Sequence, residues 1–194
     1  MKLLALKLPA ERMSSLDLFA AEAGAEKYVD KIVSLHNSAW GQFESEISSQ
    51  GWLEDSNKLA VIIAIDDQGE LLGTISMKKE NMENQFPDLS PWASGLYVVE
   101  SSRKKGVDIL LINALAKVGQ AMGIKNFYAF SHFIKETESY YKKLGCENNA
   151  DKQHYYKDAP IILLEGRVDK VIERTDKYIK KIWRRERDSK PRNV

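Results

Sequence analysis

The pattern in residues 91–146 restricts the fold of this chain more than any other. An apolar run over 93–99 leads into the basic turn Arg103, Lys104, Lys105 and Gly106. Val107, Leu110, Leu111, Ala114, Leu115, Val118 and Met122 then recur at helical spacing, and Gly123 supplies a stop signal. A second apolar run, 125–131, contains Phe127, Tyr128, Ala129 and Phe130, with the continuity expected of a buried parallel strand. A Tyr-rich helix over 136–144 follows and ends at Gly145. Strand, helix and strand joined by short loops form a right-handed crossover, so the chain is expected to be α/β.

The junction at Arg103–Gly106 has its own chemistry. The first turn of a helix presents N–H groups with no partner inside the helix, and the macrodipole adds partial positive charge there. A glycine lets backbone come close to a ligand, and one arginine with two lysines adds formal charge. The expected occupant is an anion such as a pyrophosphate.

With Leu96, Tyr97 and Val98 before the turn, Arg103, Gly106 and Asp108 in it, and Tyr140, Tyr141, Lys142, Lys143, Leu144 and Gly145 later, the chain resembles the GNAT family of acetyl-CoA-dependent N-acetyltransferases. The resemblance covers roughly residues 28–165 and implies an α/β fold with a central mixed, mostly antiparallel sheet flanked by helices. Two strands of that sheet splay to admit the cofactor. It implies backbone contact between acetyl-CoA and Leu96, Tyr97 and Val98, and pyrophosphate binding by Arg103, Lys104, Lys105, Gly106, Val107 and Asp108. Asp108 stands where a small residue is usual, and its carboxylate would repel a pyrophosphate. Tyr141 falls on the position that commonly serves as general acid; a phenol of pKa about 10 can protonate a departing thiolate. Cys146 occupies a position usually aromatic. The implied reaction is direct attack of a primary amine on the thioester, without a metal.

The remaining segments fit around this core. Residues 59–65 and 71–77, separated by a polar turn, read as a hairpin. Residues 26–40 and 43–52 read as two helices, whose His36, Trp40, Phe43 and Trp52 are candidates either for an acceptor pocket or, more in keeping with aromatic spacing, for the core. Glu80, Asp88, Glu100 and His132 are candidate bases or solvated residues. Residues 1–8 suit a short strand or packed arm, and 9–24 a short helix. Residues 159–165 read as a final strand. The expected organisation is an N-terminal elaboration over 1–26, the acetyltransferase domain over 27–166, and a basic amphipathic helix with a tail over 167–194.

Composition narrows the partners. A net charge of +1 on 194 residues argues against a chain devoted to nucleic acid. The single Cys146 excludes an intrachain disulfide framework, and together with an N-terminus unlike a signal peptide it points to the cytoplasm. No apolar run approaches the roughly 20 residues that span a membrane. The C-terminal helix carries Val168, Val171, Ile172, Ile179, Ile182 and Trp183 among lysines and arginines, and can dock on the core, on a second copy in a homodimer, or on an acidic partner such as RNA. The alternative to catalysis is a non-catalytic acyl-CoA-binding or interaction module on the same fold.

Overall fold

The hairpin expected at the centre of the chain is the spine of the sheet. In the computed structural model, which describes residues 1–7, 25–40, 48–81, 85–132, 135–148 and 154–188, β2 (Lys58–Ile65) pairs antiparallel with β3 (Leu71–Lys78). Its turn is built by Asp66, whose carboxylate accepts the N–H groups of Gln68 at 2.9 Å and Glu70 at 2.8 Å. β1 (Lys2–Lys7) joins the other edge of β2, so the first residues form a strand of the main sheet. On the far side β3 pairs with β4 (Trp92–Val98).

The described strands form one eight-stranded sheet. Its second half contains β5 (Asn126–His132), β8 (Ala159–Arg167), β6 (Cys146–Asn148) and β7 (His154–Tyr156). β5 pairs antiparallel with β8 along the whole length of β5, and β8 carries β6 and β7 on its other edge. β4 and β5 form the parallel pair, in register at Trp92 and Tyr128 alone. Here the reading of β5 as a buried parallel strand needs correction. Its long partner is antiparallel, and Tyr128, Ala129 and Phe130 are half-buried because the β4 side of the strand faces open space.

Alternation along β2 assigns the two faces. Val61, Ile63 and Ile65 pack with Tyr28, Val29, Ile32 and Val33 from α1 (Val29–Trp40) and the turn before it, and with Trp52 of α2 (Ser49–Glu54). Ala60, Ile62 and Ala64 face the opposite way, onto Val107, Leu111, Ala114, Leu115 and Val118 of α3 (Val107–Ala121). The apolar spacing read in the sequence is therefore the buried stripe of α3. Gly123, at φ +77°, ends this helix, with the Ile124 N–H donating to the Gly119 carbonyl at 2.9 Å.

α5 (Val168–Asp188) lies along α3. Val168, Val171 and Thr175 are buried, and the Asn113 amide donates to Thr175 Oγ1 at 2.7 Å and to Asp176 Oδ1 at 3.0 Å. Of the docking surfaces open to this basic helix, the core takes Val168, Val171 and Ile172. α4 (Lys135–Lys143) precedes β6 and leans Tyr140 and Tyr141 against the α3 side of the core. Among the described residues no helix is long and apolar enough to cross a membrane. The helix expected over 9–24, Phe43, the side chains of Trp40 and His132, and the tail from residue 189 lie outside the described residues.

Candidate functional site

The site begins where β4 and β5 part. The Tyr128 N–H donates to the Pro91 carbonyl at 2.8 Å, and beyond the Trp92–Tyr128 pair the two strands share no further register. A cleft of about 580 Å³ opens between them. β4 also bulges there: three residues of β3, Thr74 to Ser76, oppose four of β4, Ser94 to Tyr97, and Gly95 at φ +63° absorbs the kink. Among the described residues, no strand pairs with the cleft-facing edge of β4 beyond Trp92.

The cleft passes through the sheet. On the α3 and α4 side its walls are Ile112, Leu115, Phe127, Tyr141 and Cys146. On the α1 side they are His36, Lys78, Asn81, Phe130, Tyr156 and Lys157. Leu96 lines the cleft, whereas Tyr97 faces an adjoining hollow with Ile32, Trp52 and Lys58. Val98 packs on the α3 side of the core.

At the far end of β4 the chain makes a short 3₁₀ turn over Glu100–Ser102 and enters the basic turn. Arg103, Lys104 and Lys105 are exposed. The Arg103 Nε donates to the Val98 carbonyl at 3.2 Å, and its guanidinium lies 5.9 Å from the Tyr97 ring centre. Lys104 (φ +63°) and Gly106 (φ +80°) are both left-handed, a winding that turns successive N–H groups toward one side. Gly106 caps α3 and accepts the Leu110 N–H at 3.1 Å, so the N–H groups of Val107, Asp108 and Ile109 are those a helix start leaves without a partner inside the helix. Val107 itself is a core residue. Gly106 has a second reason to be glycine: a Cβ there would sit 2.5 Å from Ile182 Cδ1 of α5.

Asp108 projects from this first turn to Tyr140, whose hydroxyl donates to its carboxylate in a short hydrogen bond. The charge that would meet a pyrophosphate is therefore partly taken up by a phenol of α4. Burial, reinforced by that bond and by the Asp108 charge, raises the Tyr140 phenol far above its ordinary value. Tyr141 points the other way, into the cleft, edge-on to Tyr140 at 5.2 Å between ring centres. Burial first, then the neighbouring Cys146 and Asp108, push its phenol up to about 12. Burial likewise pushes the Cys146 thiol to about 12, which leaves it an inert wall residue at neutral pH.

Of the acceptor-pocket candidates, His36 lines the cleft from α1, while Trp52 is buried with the Lys58 ammonium 4.5 Å from its ring centre. Of the candidate bases, Glu80, Asp88 and Glu100 are exposed and none lines the cleft. Lys78, Asn81, Tyr156 and Lys157 also line the cleft, from strand ends, a loop and a turn, and no motif marks them.

No protein-family model matches this sequence, and no curated protein sequence does. Solved structures do match. An aminoglycoside 6'-N-acetyltransferase complexed with coenzyme A is 19% identical, with a TM-score of 0.57, covering 76% of this chain and 94% of the other. A ribosomal-protein-alanine N-acetyltransferase from Brucella melitensis is 16% identical, with a TM-score of 0.59 and coverage of 75% and 98%. A CoA-dependent acyl-homoserine lactone synthase is 17% identical, with a TM-score of 0.59 and coverage of 78% and 87%. The chain therefore has the GNAT fold: a mixed, mostly antiparallel sheet, splayed between β4 and β5 and flanked by helices.

Proposed function

We propose that this protein transfers an acetyl group from acetyl-CoA to the primary amine of an acceptor. The observation that carries the reading is the coincidence of three features: the edge of β4 that splays from β5, the left-handed basic turn at the start of α3, and Tyr141 in the cleft. The bulged edge from Leu96 to Val98 suits the amide groups of a pantetheine arm, which would pair with it as a strand does. Arg103, Lys104, Lys105 and the first N–H groups of α3 suit a pyrophosphate. The structural neighbours, one of them complexed with coenzyme A, support the same cofactor.

Acetyl-CoA supplies an acetyl group activated as a thioester; in the transfer a carbon–nitrogen bond replaces the carbon–sulfur bond, and a proton leaves nitrogen while one reaches sulfur. Tyr141 holds its proton throughout the physiological range, because its phenol is pushed up to about 12. Full transfer to a thiolate of ordinary pKa about 8.5 would be uphill by roughly 5 kcal/mol. Tyr141 therefore acts chiefly as a hydrogen-bond donor to the departing sulfur, and the proton that ends on sulfur comes from solvent as CoA leaves. His36, the one imidazole among the described residues lining the cleft, is the residue we propose to receive the amine proton. Most of the rate would come from positioning the two reactants within this cleft.

The test is a calorimetric titration with acetyl-CoA, followed by assay of CoA release across a panel of amines, for the wild type and Tyr141→Phe. Saturable binding and amine-dependent release are expected. Tyr141→Phe should lower turnover about tenfold or more and leave the affinity for acetyl-CoA nearly unchanged. Wild-type turnover in that variant, where chemistry limits the rate, would remove Tyr141 from the reaction. A folded protein that does not bind acetyl-CoA would remove the whole reading.

A further inference from the structure

We propose that the donor site takes CoA thioesters of straight acyl chains longer than acetyl, seated in an apolar pocket under α3 at the closed end of the cleft. This rests on the CoA-dependent transfer reading above and widens its donor from acetyl to short- and medium-chain acyl groups. Alternation along the two splayed strands defines the pocket. Trp92 and Tyr128, the pair that closes the fork, both turn away from α3 into a cluster with Ile161 and Leu163. Ala93 therefore packs on the α3 side of the core, and Ala129, two residues after Phe127, shares the face of that buried ring. Both alanines line the cleft and are half-buried, so their methyl groups border open space. Standing on opposite banks, one residue past the closed end, they leave room that larger side chains would fill. Ile75, Leu115, Phe127 and Cys146 complete this end of the lining.

The occupant follows from continuity with the cofactor edge. A pantetheine arm paired with Leu96–Val98 runs from the basic turn toward Trp92, so its thioester falls beyond Leu96, level with Gly95 and Ser94. The acyl group is then the part of the donor nearest the closed end. Pantetheine amides need hydrogen-bond partners, which a strand edge supplies, whereas the walls beyond the thioester are hydrocarbon apart from the Cys146 thiol. Ser131, the hydroxyl on the same face of β5, stands two residues farther from the closed end than Ala129. Burial raises the Cys146 thiol, as in a place that excludes water. An acetyl group has one methyl to bury here, and each further methylene removes more apolar surface of chain and wall from water. The polar lining with His36, Lys78 and Asn81 lies on the α1 side and is left to the acceptor. The reaction is unchanged in kind: the amine nitrogen bonds to the acyl carbon, the carbon–sulfur bond breaks, the amine loses a proton and sulfur gains one from solvent.

The experiment measures CoA release with acetyl-, propionyl-, butyryl- and hexanoyl-CoA across the amine panel, paired with calorimetric binding of the same four thioesters. Affinity and kcat/KM should rise along the series, by roughly twofold or more per methylene. Ala93→Leu and Ala129→Leu, which push side chains into the pocket, should each cut the hexanoyl-to-acetyl ratio of kcat/KM about tenfold or more, with the unfolding temperature as the check on folding. A flat or falling series in the wild type would overturn the inference and leave acetyl transfer standing. A rising series that both leucine variants leave unchanged would put the chain elsewhere and overturn it too. If no donor acylates any amine, the transfer reading fails, and the binding arm still decides. Hexanoyl-CoA that binds more tightly than acetyl-CoA, and loses that margin in the leucine variants, supports the pocket; equal affinity, or none, overturns it.

Discussion

The Tyr140 hydroxyl donates to the Asp108 carboxylate, tying α4 to the first turn of α3 at the mouth of the proposed pyrophosphate site. A hydrogen bond to a charged group is worth about 1.5–3 kcal/mol. Tyr140→Phe should lower stability within that range and weaken acetyl-CoA binding severalfold, because the Asp108 charge is then less spent on a neighbour. Asp108→Ala should strengthen binding. A double-mutant cycle over the pair, read by urea unfolding, should show coupling of at least about 1 kcal/mol; additive effects would mean that the contact is not energetically used.

Gly106 should prove sensitive for two separable reasons. A left-handed backbone costs a non-glycine residue about 1–2 kcal/mol, and a Cβ at this position would press on Ile182 of α5. Gly106→Ala should therefore be destabilising, and markedly less so in an Ile182→Ala background, where only the backbone cost remains. Thermal unfolding of the four proteins checks this. An equal cost in both backgrounds would assign the whole effect to φ.

The cations of the turn are exposed, so reversing their charge should spare the fold and act on the ligand. Arg103→Glu and Lys104→Glu should each raise the Kd for acetyl-CoA about tenfold and reduce its dependence on salt, with little change in unfolding temperature. Dephospho- and pantetheine-only analogues of the cofactor should show progressively smaller effects of the same substitutions. An equal loss for the pantetheine-only analogue would place the lysine and arginine charges elsewhere.

How much of this was legible in the residues follows from the range of each interaction. The hairpin, the cofactor strand, the stripe of α3 and its glycine stop are local patterns, and each lies within a residue or two of its expected place. The resemblance puts Tyr141 on the general-acid position and the sequence places both tyrosines beside the cleft; Tyr141 lines it, whereas the Tyr140 hydroxyl is taken up by Asp108. The partner of Asp108 could not be read, because Tyr140 lies 32 residues away and meets it only when α3 and α4 pack. Ile182 over Gly106 is hidden for the same reason. The continuous apolar run of β5 misled, since an open cleft edge and a buried parallel neighbour both favour apolar residues.

The last prediction concerns alkaline pH. Tyr141 and Cys146 are pushed up to about 12, from ordinary values of 10.0 and 9.0, chiefly by burial, and Tyr140 is raised as well. In each case the folded state holds the proton more tightly than the unfolded chain, so between the two values the unfolded state binds fewer protons and stability falls as pH rises. The contribution is fully present below about pH 9 and declines from there toward 12. By pH 10.5 the Cys146 thiol alone should account for a loss on the order of 2 kcal/mol. Urea midpoints at pH 8 and pH 10.5 measure the decline, and Cys146→Ala should make it shallower while lowering the stability at pH 8 through the cavity it leaves. A wild-type midpoint that does not move between the two pH values would mean that these groups ionise as readily folded as unfolded. Turnover, by contrast, should show no loss attributable to Tyr141 over that interval, because its proton stays in place.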